Sequence, residues 1–128
     1  MSERPLSPHL QIYRLPITAI TSILHRVSGV VQVLGFIVLC VGLICHRLGE
    51  EAYTGFMSLI TSPLGWVFLF GWSAAFFYHL STGIRHLVFD AGFLFPKKQA
   101  QISSYVVIFV AAVMTIAFWV CVAGGPSQ

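Results

Sequence analysis

Three stretches of this chain hold no charged residue: Val27 to Cys45, Leu64 to Ile84 and Ser103 to Ala123. Crossing a hydrocarbon core of ~30 Å takes ~20 apolar residues of α-helix at ~1.5 Å rise per residue, and each run meets that requirement. Lipid offers backbone amides and carbonyls no partner, so each run has to pair them internally, as a helix. The sequence therefore predicts an all-α membrane protein with three transmembrane helices. Composition agrees: 57% of the 128 residues are hydrophobic and 9% are charged, against ~25% charged in ordinary soluble domains. The length allows one domain, residues 1–128, with spans expected over about 27–47, 64–86 and 103–123. No soluble catalytic domain fits beside them. Gly49 and Pro63 bracket the first connection, and Gly92 and Pro96 mark the second; both are read as short loops.

Orientation follows from the basic residues. Arg4, Arg14 and Arg26 precede the first span, and Arg85, Lys97 and Lys98 lie between the second and third, so six of the seven basic residues share one side. Arg47, on the other side, faces Glu50 and Glu51. The positive-inside tendency then places the N-terminus, residues 1–26, in the cytoplasm and the C-terminus outside. Residues 1–16 contain Pro5, Pro8 and Pro16 and no apolar core, so neither a signal peptide nor a transit peptide is expected. That favours a bacterial inner membrane over the mitochondrial one. Cys40, Cys45 and Cys121 sit in apolar stretches without zinc-ligand spacing and read as small packing residues. Nothing in the charge pattern points to nucleic acid.

His79 lies inside the second run, six residues before Arg85. That is ~9 Å of helix into the membrane. An ionisable side chain at such depth is costly and needs a partner. The plain reading is a neutral imidazole hydrogen-bonded to a neighbouring helix. The sharper reading uses the small residues around it: Gly71, Ala75, His79 and Gly83 recur at spacing four. Such a face packs another helix or lets a flat haem approach, with His79 as axial ligand to iron. His86 lies about 10.5 Å further along the same helix and cannot ligate the same iron from the opposite side of a haem. The remaining histidines, His9, His25 and His46, flank the first span rather than lying within it. A second histidine ligand would therefore come from a partner chain or another helix, and a partner is the reading adopted. His86, beside Arg85, is placed near haem propionates or in the headgroup region.

The segment before the first span is a second constellation. Ile17, Ile20, Leu24 and Val27 fall on one helical face; Thr18, Ser22 and Arg26 fall on another, with His25 nearby. This is either an ordinary interfacial helix start, with Arg26 reaching to the headgroups, or a polar notch. A hydroxyl and a guanidinium there could hold quinone or propionate oxygens. Asp90, just past the second span, is either an exposed charge or a proton carrier.

These residues resemble a known family. Arg4-Pro5-Leu6-Ser7-Pro8-His9-Leu10, then Ile12-Tyr13, then Ser22-Ile23-Leu24-His25-Arg26-Val27-Ser28-Gly29 is similar to the signature of the cytochrome b subunit of succinate dehydrogenase. His79-x-x-x-Gly83-x-Arg85-His86, with Asp90 after it, resembles that family's haem motif. The resemblance covers the whole chain. It implies a complex in which a flavoprotein subunit oxidises succinate and an iron–sulfur subunit delivers electrons to the membrane. Two membrane anchors, of which this chain resembles the one with the larger motif, would hold haem b between them and form much of the ubiquinone site. His79 then matches the axial ligand, Ser22 and Arg26 match quinone-site positions, and His25, Arg26 and His86 match positions near the propionates. The chain alone would catalyse nothing. Two other classes stay open on sequence: a structural anchor without redox role, and a small proton-relay transporter using His79, although no broken or paired helices of the inverted-repeat kind are present. A b-type absorption spectrum separates them.

Overall fold

The structure, a computed structural model, describes Arg14–Gly125. The Arg4–Leu10 and Ile12–Tyr13 elements of the resemblance lie outside the described residues. Four helices follow in order: α1 (Ile17–Leu48), α2 (Glu50–Ile60), α3 (Pro63–Asp90) and α4 (Lys97–Ala123). Of these, α1, α3 and α4 are long and apolar enough to cross a membrane.

The first helix starts at Ile17, well before the uncharged run begins at Val27. Its first turn hangs from Pro16, whose carbonyl accepts the N–H groups of Ala19 and Ile20 at 2.9 and 3.2 Å. A helix needs no apolarity to propagate, so Arg26 ends the apolar run without ending the helix. At 32 residues and ~1.5 Å each, α1 is roughly 48 Å long and overhangs a ~30 Å core. The N-terminal segment expected over residues 1–26 is thus, from Ile17 onward, part of the first membrane helix.

The first connection, expected as a loop, is helical. Gly49 takes φ 122°, which favours glycine, and reverses the chain. The α2 helix then runs back along α1. Phe56 presses on Gly42, where an added Cβ would lie 2.8 Å from the ring, and the Tyr53 ring stands edge-on to His46 at 5.2 Å. Glu50 and Glu51 sit in the first turn of α2, where carboxylates complement the helix dipole. Ser62 caps α3 by accepting the Gly65 N–H at 3.1 Å, with Pro63 at the first helical position. Gly92, at φ 90°, closes α3.

The interior reverses the pattern of a soluble core. Among the described residues, the buried set is small or polar: Thr21, Ser28, Gly35 and Gly42 on α1, and Ser104, Val107, Ala111 and Thr115 on α4. The α1 set recurs every seven residues, which is one stripe along a helix. Small residues let helix backbones approach where lipid supplies no hydrophobic drive. Gly35 shows the tolerance most sharply, because a Cβ there would run into the Trp72 indole. Large apolar side chains such as Phe36, Leu43 and Phe109 point outward instead. The α3 helix lies antiparallel to both α1 and α4. The start of α1, the end of α3 and the start of α4 therefore meet at one end of the bundle.

Candidate functional site

That end holds the polar residues singled out by sequence. His25 on α1 and His79 on α3 stack, with ring centroids 4.1 Å apart and planes 9° apart. His86, two turns further along α3, meets the His25 ring at 4.9 Å with a 56° tilt. Three histidines from two helices thus form one cluster.

The hydrogen bonds around His79 assign its tautomer. Nδ1 lies 3.1 Å from the His25 carbonyl oxygen and 3.0 Å from the Ser28 hydroxyl oxygen. A carbonyl only accepts, and the Ser28 hydroxyl already donates to the same carbonyl at 2.8 Å. Nδ1 therefore carries the hydrogen, which leaves a lone pair on Nε2. No described residue hydrogen-bonds that nitrogen. His79 lines a groove of about 370 Å³ together with Gln32, Phe36, Trp72, Phe76 and Leu80. The Gln32 side-chain nitrogen and the Trp72 indole nitrogen are buried and have no partner among the described residues. A neutral imidazole with its second nitrogen free is the form that ligates a metal.

His25 is held in mirror fashion. Its Nδ1 lies 2.7 Å from the Thr82 hydroxyl, which itself donates to the Tyr78 carbonyl at 2.8 Å. Each ring also rests toward a glycine of the opposite helix. A Cβ at Gly29 would lie 3.2 Å from His79 Cε1, and one at Gly83 would lie 3.9 Å from His25 Cε1. Both helices carry the same pattern, His-x-x-Ser/Thr-Gly: His25, Ser28 and Gly29 on α1; His79, Thr82 and Gly83 on α3. Antiparallel packing pairs the two reciprocally. Sequence reasoning quoted the first copy and, of the second, only His79 and Gly83; it passed over Thr82 and the equivalence of the two.

The spacing-four face resolves into separate environments. Successive residues four apart drift by about 40° around a helix, since each advances ~100°. Ala75 therefore lines a different cavity, shared with Ser28 and Ala111. Gly71 has nothing within 4 Å of an added Cβ. Gly83 meets His25.

Ser22 is half-buried and Arg26 is exposed or nearly so at the outer face of α1. Neither side chain hydrogen-bonds to a described residue. His25 and Arg26 diverge: one faces the α1–α3 interface, the other faces out. Asp90 is exposed at the last residue of α3.

Arg85 has a role that sequence reasoning missed. It is only 5% exposed. Its Nε donates to Ser103 Oγ at 2.8 Å, and one terminal nitrogen donates to Ser104 Oγ at 3.0 Å and the Ala100 carbonyl at 3.1 Å. The guanidinium carbon lies 4.6 Å from the Phe89 ring centroid. Ser104 is reached from α1 by the Thr21 hydroxyl at 3.5 Å, and Tyr78 donates to the Thr21 carbonyl at 3.0 Å. All three long helices are tied together beside the histidines.

Comparison with known proteins agrees with this architecture. Residues 1–118 match the family model described as succinate dehydrogenase/fumarate reductase transmembrane subunit. The succinate dehydrogenase cytochrome b556 subunit of Paracoccus denitrificans is 42% identical over 113 residues, 88% of this chain and 87% of that one. The cytochrome b556 subunit of Rickettsia felis is 36% identical over 119 residues, 93% of each chain. The cytochrome b560 subunit of Reclinomonas americana is 34% identical over 122 residues, 91% of this chain and 85% of that one.

Proposed function

The chain belongs to the succinate dehydrogenase/fumarate reductase transmembrane subunit family, and from that premise we propose that it is the membrane-anchor, haem b and ubiquinone-site subunit of a succinate:quinone oxidoreductase. The observation that carries the proposal is the state of His79. Its Nδ1–H is committed to the Ser28 hydroxyl and the His25 carbonyl, its Nε2 has no hydrogen-bond partner among the described residues, and the ring lines a groove. An ionisable side chain at that depth is costly and calls for a partner at the atom left over.

The residues present fit a haem. The groove offers aromatic walls, Phe36, Phe76 and Trp72, beside one nitrogen ligand. His79 would hold the iron, and a second membrane-anchor subunit would supply another ligand. His25 and His86, nearer the cytoplasmic end, stand where propionates would reach them, with Arg26 alongside. When bound, the haem supplies a one-electron centre.

The remaining roles follow from position. Succinate oxidation by a flavoprotein subunit releases two electrons and two protons, and an iron–sulfur subunit delivers the electrons to the cytoplasmic end of the bundle. Ubiquinone takes up two electrons and two protons to become quinol. Its tail stays in lipid while its head needs electrons and protons from that end. Ser22 and Arg26 lie there, one helical turn apart and uncommitted to other described residues. Ser22 donates to a quinone carbonyl, and Arg26 stabilises the negative charge that develops on reduction. Asp90, exposed at the same end, is placed to exchange protons with water. The bundle sits in a bacterial inner membrane with its N-terminus in the cytoplasm, as the basic residues Arg14, Arg26, Arg85, Lys97 and Lys98 at that end support.

Removing this subunit from its complex tests the proposal. Succinate oxidation with an artificial dye should persist in the soluble fraction, while succinate:quinone activity and the b-type spectrum disappear from the membrane. Quinone reduction and haem retained at full level without this chain would overturn it.

A further inference from the structure

We infer that Ser28 and Gly29 of α1 are positioning residues for the His79 imidazole, fixing its tautomer and its rotation and thereby the electronic state of the metal it holds. The inference rests on the proposed ligand role of His79 and goes beyond it by assigning the residues that hold the ring.

Two independent constraints act on the ring. The first is polar. The His79 Nδ1–H meets Ser28 Oγ at 3.0 Å and the His25 carbonyl at 3.1 Å, and Ser28 Oγ donates to that carbonyl at 2.8 Å. The three atoms close a triangle in which no member can turn without losing a bond. The second is steric. Gly29 leaves a slot against which the His79 Cε1 edge lies, and a methyl there would stand 3.2 Å from Cε1. That is close enough to push the ring by a few tenths of an ångström. One residue sets where the hydrogen sits; the next sets where the ring edge sits. The reciprocal copy, Thr82 and Gly83 around His25, argues for a built device rather than a chance contact.

Hydrogen bonds to the Nδ1–H of a ligating imidazole raise its basicity and so favour oxidised iron. Ser28→Ala removes one of two such acceptors, so the midpoint potential should move upward. The g anisotropy of a low-spin haem depends on the angle between its ligand planes, so Gly29→Ala should change the low-spin electron paramagnetic resonance signal by turning the ring. Ser28→Thr keeps the hydroxyl, and its extra methyl has room, because Ser28 borders a cavity of about 540 Å³ among α1, α3 and α4.

The experiment uses the assembled complex, purified from membranes, with redox titration and electron paramagnetic resonance. Ser28→Ala should raise the haem potential, Ser28→Thr should restore it toward the parent value, and Gly29→Ala should displace the low-spin signal. Ser81→Ala is the control: it removes a buried hydroxyl that bonds only the Phe77 carbonyl and should leave both readings in place. His79→Leu separates the two levels of the argument. If His79→Leu alters the iron and Ser28→Ala and Gly29→Ala do not, the positioning role is wrong and the ligand role stands. If His79→Leu leaves the iron unchanged, the ligand reading itself falls. Should one positioning variant fail to assemble, the other still decides.

Discussion

Arg85 and Arg26 lie at the same end of the bundle, and the structure gives them opposite fates. Arg85 is buried and makes three hydrogen bonds to α4, from Nε to Ser103 and from one terminal nitrogen to Ser104 and Ala100; Arg26 makes none to a described residue and faces outward. Hydrogen bonds between membrane helices contribute ~0.6 kcal/mol on average and up to ~1.7. Three of them come to roughly 2–5 kcal/mol, and the Phe89 face adds ~0.5–1. Removing the guanidinium strands no partner, because the Ser103 and Ser104 hydroxyls each keep their own bond to the Ala100 carbonyl at 2.9 and 3.0 Å. The cost of Arg85→Leu is therefore the lost bonds alone, with no orphaned acceptor added, and should fall in that range. Arg85→Lys restores the charge without the planar fork that reaches Ser103 and Ser104 together, so it should recover only part of the loss. The assay is thermal or denaturant unfolding of the purified complex in mild detergent, followed by loss of helix signal. Arg26→Leu, measured alongside, should cost less, since Arg26 makes no hydrogen bond to a described residue of this chain. If Arg85→Leu and Arg26→Leu shift stability equally, or Arg85→Leu shifts it by less than ~1 kcal/mol, the clasp account is wrong.

Other outcomes are as definite. Gly35→Ala drives a methyl into the Trp72 indole and should destabilise the α1–α3 contact by ~1–3 kcal/mol, seen as a lowered unfolding midpoint; a neutral result contradicts the observed packing. Ser22→Ala should lower quinone reduction roughly three- to tenfold, the loss of one hydrogen bond of about 0.5–1.5 kcal/mol. Arg26→Leu should lower it further while succinate oxidation with a dye is kept, and a parallel fall of both activities would indicate damaged assembly instead. A reporter fused after Gln128 should be active only outside the cytoplasm, and one near Lys97 only inside; a cytoplasmic signal at Gln128 reverses the orientation.

The spans were legible in the sequence because absence of charge over some twenty residues has one structural solution in lipid. The helical start of α1 before Val27 showed in the apolar face of Ile17, Ile20, Leu24 and Val27, although the span itself was bounded by Arg26. All of α2 was hidden, because it is a short helix whose apolar positions Phe56 and Ile60 only make sense once α1 is there to receive them. His79 stood out by its depth, the small residues around it and its motif. What held it did not, because Ser28 and the His25 carbonyl are distant in sequence and become partners only through antiparallel packing. Arg85 was read as a charge marking the membrane boundary. Its position in the chain gives no hint that Ser103 and Ser104 lie opposite, and burial of an arginine is visible only in three dimensions.

Everything proposed for the site depends on His79 being a haem iron ligand from this chain. The most direct measurement is the optical and electron paramagnetic resonance spectrum of the assembled complex carrying His79→Leu, beside His86→Leu in the same background. His79→Leu should alter or abolish the low-spin b-type signal, with a change of spin state if the ligand from the partner anchor still retains the haem, and His86→Leu should perturb it less. A low-spin b-type spectrum unchanged in His79→Leu would contradict the account.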